Sequence, residues 1–298
     1  MNWTIAALYR FVEITDTPAM QKRVREACEA RGICGTLLLA PEGVNGTIAG
    51  QGEAIPEIIA LLDDWLEVSK GEVKYSYAEN RPFKRLKVRL KKEIITMRQP
   101  EANPTKRVGK YVTPEEWNAL ISDPDVVTID TRNDYETAVG TFKGAIDPKT
   151  KIFTEFADYV EKNLSPEKNK KVAMYCTGGI RCEKASSYML SQGFEEVYHL
   201  KGGILQYLED VPQEDSLWEG SCFVFDRRVA VDHGLAESPH LICYGCRYPL
   251  NPEDTSHEKY EEGVSCHHCR DRLTEAQIHS FRMRQSQLIA EKKAQKEA

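Results

Sequence analysis

Lys171-Val172-Ala173-Met174-Tyr175 is a short apolar run of the kind that forms a buried strand, and Cys176-Thr177-Gly178-Gly179-Ile180-Arg181 follows it without a break. Ala185, Tyr188 and Met189 then set a helical period through residues 186–192, which places the cysteine on a strand–loop–helix turn. Such a loop aims successive N–H groups inward with the positive end of a helix behind them, an arrangement that stabilises an anion and lowers a thiol pKa. Gly178 and Gly179 allow backbone angles that a side chain forbids, and Arg181 adds a fixed positive charge. The expected product is a reactive, accessible thiolate at Cys176, ringed by Thr177, Gly178, Gly179 and Ile180. The spacing Cys-x4-Arg is one residue shorter than the Cys-x5-Arg with which cysteine phosphatases encircle a phosphoryl group, so the ring suits a bound sulfur or another small species. Cys182 is a candidate resolving thiol for an oxidised Cys176 and equally a packing residue of the helix.

Upstream, residues 126–130 form a second buried-strand candidate, and Thr113-Pro114-Glu115-Glu116 carries a capping-box pattern that opens a helix. The segment to about Leu208 therefore reads as α/β with a parallel sheet. Asp130, Arg132 and Glu136 stand just after the first strand, where hydrogen bonding to neighbouring loops is expected of them ahead of direct catalysis. Lys201-Gly202-Gly203 reads as a tight turn or a pocket lining. The first 80 residues give a strand (4–12), a helix from Thr17-Pro18, a hairpin of 35–40 and 47–50 turning at 43–46, a helix (54–66) and a strand (73–77). That order, βαββαβ, predicts a ferredoxin-like domain over 1–98, then a linker (99–110), an α/β domain (111–212) and a C-terminal region (213–298) with a strand at 222–225 and a charged helix from about Thr274 that frays near Ala298.

Between Arg81 and Arg98 the composition shifts to eight cations against one acid, Glu93. Arg81, Lys84, Arg85, Lys87, Arg89 and Lys91 are candidate RNA-phosphate contacts, the last three on one face of a strand, with Tyr75, Tyr77 and Phe83 as candidate base-stacking partners. A net charge of −6 excludes a chain that coats nucleic acid indiscriminately, so any such contact is local. No apolar run approaches the ~18 residues of a bilayer span, and Met1-Asn2-Trp3-Thr4 lacks the pattern of an export signal; a cytoplasmic protein without membrane contact is expected. Nine cysteines, an odd number, fit metal binding plus free thiols better than a disulfide framework. Cys243-Tyr244-Gly245-Cys246 and Cys266-His267-His268-Cys269, at zinc-ribbon spacing, supply four thiolates for a structural zinc, with His267 and His268 as flanking residues or substitute ligands. No nucleotide-binding or flavin motif appears, and no obligate protein partner is evident.

Four signatures in order, residues 130–136, 142–146, 176–182 and 200–203, resemble a rhodanese domain. Thr177 stands where thiosulfate-type members often carry an arginine, and no histidine stands near Lys143, which turns the expectation away from simple thiosulfate transfer. The whole chain, with residues 35–50 in front and the paired CxxC tail behind, is similar to the rhodanese-related tRNA uridine hydroxylases. That resemblance implies oxygen-dependent conversion of a tRNA wobble uridine to 5-hydroxyuridine, with tRNA as partner, molecular oxygen as co-substrate and Cys176 as the catalytic residue, persulfidated or otherwise oxidised during turnover. A persulfide-carrying sulfurtransferase and a non-catalytic rhodanese module for RNA binding or sensing are the competing expectations.

Overall fold

The structure, a computed structural model, describes residues 2–297. The chain falls into two compact units. One runs to Arg227 and takes in Val231–Ala236; the other comprises Arg228–Ala230 and the residues from Glu237 on.

The first unit opens with β1 (Trp3–Phe11), α1 (Thr17–Glu29), β2 (Cys34–Ala40), β3 (Gly43–Gln51), α2 (Ala54–Leu66), β4 (Glu72–Ala78) and β5 (Leu86–Leu90). The Asp16 carboxylate accepts the Ala19 N–H at 3.0 Å and Pro18 occupies the first turn, which sets the start of α1. In α2, Ile55, Ile58, Leu62 and Leu66 recur at helical spacing and all four are buried. The strands form one sheet in the order β4-β1-β3-β2-β5; the first four are antiparallel, as a ferredoxin-like unit requires, and β5 adds parallel to β2. Ala6, Leu8, Leu37, Leu39 and Val88 face the helices, whereas Tyr9, Phe11 and Ala40 join Ile94 in a second cluster on the reverse face. The hairpin turn lies at Pro41-Glu42 and not at 43–46: those residues are inside β3. Glycine is needed there because β3 is flanked on both sides, and a Cβ at Gly43 or Gly46 would meet a neighbouring strand's carbonyl oxygen at 2.0 Å.

The predicted linker is folded onto the second domain, with Ala102 buried in its core together with Met97, which the sequence assigned to the first domain. That domain runs through β6 (Lys110–Val112), α3 (Pro114–Ile121), β7 (Val126–Asp130), α4 (Asp134–Thr137), β8 (Gly140–Phe142), α5 (Glu155–Asn163), β9 (Lys171–Tyr175), α6 (Ile180–Ser191), β10 (Glu196–Leu200), α7 (Gly203–Asp210) and β11 (Trp218–Gly220). Strands β6-β10-β9-β7 make an all-parallel sheet, which puts the β9–α6 loop at a carboxyl edge, where α/β sheets hold their ligands. β8 pairs with β11 instead, and Phe142 on it is the hub of an aromatic cluster with Tyr175, Tyr207 and Trp218 at ring distances of 4.8, 4.7 and 5.0 Å. The expected strand at 222–225 is only Cys222–Phe223, and Phe225 is exposed.

In the second unit Leu241–Ile242 pairs with Pro249–Leu250 on either side of Cys243 and Cys246, Cys266 and Cys269 follow, and α8 (Glu275–Glu297) comes last. Glu261 accepts from Arg270 and Arg282, which ties α8 to the loops before it. The fraying expected near Ala298 lies outside the described residues. Among the described residues no helix is long and apolar enough to cross a membrane.

Candidate active site

Helix α6 begins at Ile180, six residues before the periodic stretch, because Gly179 takes a left-handed φ of 99° and caps it. Arg181 and Cys182 therefore sit in its first turn, where backbone N–H groups have no partner within the helix. Both donate to the Cys176 sulfur. The Gly179 N–H also donates to it, at 3.1 Å, and the Cys182 thiol adds a further bond. Burial alone pushes the Cys176 thiol up; the Cys182 bond, the Arg181 charge and the two amides outweigh it and bring the pKa down to about 6. Cys182 moves the other way: burial and its role as donor to Cys176 raise it well above the ordinary thiol value, and Thr131 Oγ1 touches its sulfur at 3.5 Å. The thiolate environment is thus present, but the expected accessibility is not: Cys176 is only 1% exposed. Ile180, next in the loop, packs into the Tyr9, Phe11, Ala40 and Ile94 cluster.

Arg181 carries the positive charge expected of it, and that charge is already paired. Its Nη1 and Nη2 each donate at 2.7 Å to one oxygen of Glu136, which lies on α4 and is wholly buried. Burial would raise the Glu136 carboxyl; Arg181, paired through charge and hydrogen bonds, wins and holds it below the usual range. Thr177 Oγ1 reaches the same carboxylate at 3.4 Å. Asp130 and Arg132 form a second buried pair, Nη2 to Oδ2 at 2.6 Å, and Arg132 also donates to the carbonyls of Gly140 at 2.6 Å and Glu136 at 3.3 Å. Sequence reasoning expected Glu136 to hydrogen-bond a neighbouring loop but did not name Arg181 as its partner.

On the far side of the loop, Gly202 and Gly203 both have positive φ, and a Cβ on Gly203 would meet the carbonyl oxygens of Cys176 and Thr177 at 2.5 and 2.6 Å. Only a hydrogen fits. This close approach lets the Ile204 and Leu205 N–H groups, at the start of α7, donate to those carbonyls at 3.0 and 3.1 Å. Residues that the sequence did not single out complete the surroundings. Glu183 on α6, buried, accepts at 2.9 Å from the hydroxyls of both Tyr9 and Tyr111. Lys184, also buried, donates to Glu42, to Glu93 at 2.6 Å and to the Ile95 carbonyl at 3.1 Å. Tyr9 and Glu42 come from the first domain, more than 130 residues away in sequence, and no local pattern announces them.

The basic segment is dispersed. Arg81, Lys84, Arg85, Arg89 and Lys91 are exposed and Lys87 is half-buried, and Arg81 also lies over the Trp3 ring at 5.6 Å. The stacking partners expected beside them are elsewhere: β4, with the exposed Tyr75 and Tyr77, is at the opposite sheet edge from β5, four strand spacings or roughly 19 Å away. Register also puts them on the other face, since Tyr75 lies in the row of Leu86 and Lys87 in the row of Lys74. Phe83 is committed to packing against Ile5, Cys34 and Ala49.

In the second unit the sulfurs of Cys243, Cys246, Cys266 and Cys269 lie within 4.8 Å of one another. The Cys243–Cys269, Cys246–Cys266 and Cys266–Cys269 separations are 3.8, 3.8 and 3.9 Å. That is the edge of a tetrahedron of about 3.8 Å for metal–sulfur bonds of about 2.3 Å, so the four residues fit a metal ion. His267 and His268 stay outside the cluster and pack against each other, ring centroids 4.0 Å apart and planes tilted by 42°.

Residues 3–94 match the UPF0176 acylphosphatase like domain, and residues 113–210 the rhodanese-like domain. Over 293 residues the chain is 55% identical to the tRNA uridine(34) hydroxylase of Rhizobium leguminosarum bv. trifolii (strain WSM2304), covering 98% of this chain and 95% of that protein. Over 291 residues it is 54% identical to the tRNA uridine(34) hydroxylase of Roseobacter denitrificans (strain ATCC 33942 / OCh 114), covering 97% and 98%.

Proposed function

We propose a site-level account that starts from one premise: this chain belongs to the tRNA uridine(34) hydroxylase family. The protein is an enzyme that hydroxylates the wobble uridine of tRNA. Within it, Cys176 is the reacting group. The observation that carries this is the set of donors converging on one sulfur, three amides and the Cys182 thiol, with a pKa of about 6 as the result. At neutral pH such a sulfur is a thiolate, able to attack an electrophile or be oxidised by oxygen-derived species. Arg181 supports the anion while Glu136 fixes the guanidinium; Asp130 and Arg132 hold the loop's floor. Thr177, Gly178, Gly179 and Ile180 shape the ring.

Molecular oxygen is the co-substrate and C5 of the uridine the position attacked. Arg81, Lys84, Arg85, Lys87, Arg89 and Lys91 hold tRNA phosphates, without help from Tyr75 or Tyr77. The four-cysteine cluster holds zinc in a closed, structural site, because four thiolates at tetrahedral spacing leave no position for substrate. The work is done in the cytoplasm, where tRNA pools reside.

Nucleoside analysis of total tRNA from a deletion strain, complemented with wild type or Cys176→Ala, tests substrate, reaction and site together. Hydroxylated uridine is expected only with wild type. Unchanged modification in the Cys176→Ala strain would overturn the assignment, and persulfide transfer by the purified protein with unmodified tRNA would support sulfur transfer instead.

A further inference from the structure

The catalytic loop is not self-supporting. Its second glycine, Gly179, has φ 99° and sends its N–H to the Cys176 sulfur at 3.1 Å. Whatever fixes that left-handed turn fixes one of the thiolate's donors. The nearest foreign atom to the side-chain position of Gly179 is the Tyr9 hydroxyl, 2.8 Å from where a Cβ would stand, followed by two ring carbons of the same tyrosine. Tyr9 sits on β1, in the other domain, and is buried. Its hydroxyl is itself held, donating to Glu183 Oε1 at 2.9 Å, and Glu183 lies in the first turn of the helix that Gly179 caps. The contact thus closes a ring: Tyr9 to Glu183, Glu183 through α6 to Gly179, Gly179 back to Tyr9. Ile180, packed against Tyr9, Phe11, Ala40 and Ile94, secures the adjoining residue.

We propose that Tyr9 is a positioning residue for the hydroxylase site, locking Gly179 in the turn that aims its N–H at Cys176, so that the acylphosphatase-like domain completes the thiolate nest of the rhodanese-like domain. A left-handed turn at glycine is one of several accessible states and a free loop would sample the others. A rigid phenol standing against the position a side chain would take restricts them. The Glu183 carboxylate, pushed up by its burial against the lowering pull of the two phenols, keeps the tyrosine's single proton directed at it. Tyr111 provides the internal control: it donates to the same Oε1 at the same 2.9 Å, yet is not among the atoms nearest Gly179. The titratable and charged groups acting on the Cys176 sulfur or on Glu183 include Arg181 and Cys182 on α6, Glu136 through Arg181 from α4, Tyr9 and Arg10 on β1, Glu72 on β4 and Tyr111 on β6.

This rests on Cys176 being the reacting thiol, but its test does not: thiolate absorbance reports the sulfur's protonation whether or not tRNA is modified, and needs no reagent to reach a sulfur that is buried. The pH dependence of the ultraviolet thiolate absorbance of the full-length protein, taken as the difference from the matching Cys176→Ala protein, is compared for wild type, Tyr9→Phe and Tyr111→Phe. Tyr9→Phe is expected to raise the midpoint by roughly one pH unit and to lower kcat with little change in KM for tRNA. Tyr111→Phe, which loses an equal hydrogen bond, leaves the midpoint where it was. Should Tyr9→Phe fold too poorly to titrate, Glu183→Leu, which removes the acceptor that holds the Tyr9 hydroxyl, is expected to shift the midpoint upward as well, because the loosened Gly179 N–H outweighs the loss of a carboxylate that is not among the main charges on the sulfur. Equal midpoints in all folded variants, or an equal shift in both phenylalanine variants, would overturn the proposal.

Discussion

The Arg181 guanidinium and the Glu136 carboxylate meet face to face, two N–H···O bonds of 2.7 Å each, with the carboxylate wholly out of solvent. The pairing means that the cation beside Cys176 is already compensated, and the low thiol pKa depends on hydrogen-bond donors at least as much as on net charge.

Glu136→Gln separates the two contributions. Leaving Arg181 buried without its counter-ion costs about 3–5 kcal/mol, read as a lower midpoint in urea denaturation. Where the variant is still folded, removing a negative charge from the sulfur's surroundings favours the thiolate, so the Cys176 titration moves below its wild-type value of about 6. An unchanged titration would show that Glu136 shields the sulfur from nothing.

Cys182 has two roles on offer, and two substitutions distinguish them. As a donor, its thiol lowers the Cys176 pKa; serine also donates, alanine does not. Cys182→Ala is expected to raise the Cys176 midpoint, whereas Cys182→Ser keeps it close to wild type. As a resolving thiol, Cys182 would close an S–S bond on a sulfenic Cys176 as water leaves, and then both variants would accumulate over-oxidised Cys176 under peroxide. Intact-mass analysis after peroxide treatment reads the second role, and thiol titration the first.

Much of this site was legible because it is local. Cys176, the two glycines, Arg181 and Cys182 occupy seven consecutive residues, and a helix terminus following a strand is enough to place their amides. The βαββαβ order was legible too, since Thr17-Pro18 marks the start of α1 and the apolar residues of α2 recur at helical spacing. The hairpin turn was misplaced because glycines that serve close strand approach look the same as glycines that serve a turn. What sequence could not yield is pairing across the chain. Glu136 finds Arg181 over 45 residues, and Tyr9 finds Glu183 over 174. Tyr75 and Tyr77, close to the cations in sequence, are carried to the far sheet edge by strand order.

Lys184 bears the strongest tie between the two domains of the first unit. Its ammonium is almost fully buried and meets both oxygens of Glu42 at 2.9 Å and Glu93 at 2.6 Å. Lys184→Met keeps the aliphatic volume and strands two partly buried carboxylates, a change expected to destabilise by about 3 kcal/mol or more in urea denaturation. The pH dependence comes from Glu93. Burial pushes its carboxyl up, but the Lys184 bond and the Met97 N–H bring it below the ordinary value. A folded pKa below the unfolded one contributes stability above the unfolded value, about 4.3, and loses it as pH falls through the folded one. Wild type should therefore lose stability steeply below about pH 4, and Lys184→Met less steeply, because its Glu93 has less to lose. Parallel acid profiles for the two proteins would rule the ion pair out as the cause.

Metal removal tests the second unit. Outside the cysteines, its buried apolar side chains are few, Leu250, Val264 and Ile278 among them, with Tyr260 and Leu273 partly buried beside the cluster, little apolar surface to order a segment of this length. A metal bound to four thiolates supplies the missing free energy, since the ligands come together only when the fold forms. The expected outcome is about one zinc per chain by elemental analysis, lost on dialysis against a chelator. Hydrogen exchange across Leu241–Ile242, Pro249–Leu250 and Cys266–Cys269 should then rise toward unprotected rates and recover when zinc is returned. Cys246→Ser, which removes the exposed ligand of the four, should weaken zinc retention while keeping some protection; full protection in metal-free protein would mean that packing alone sustains the cluster.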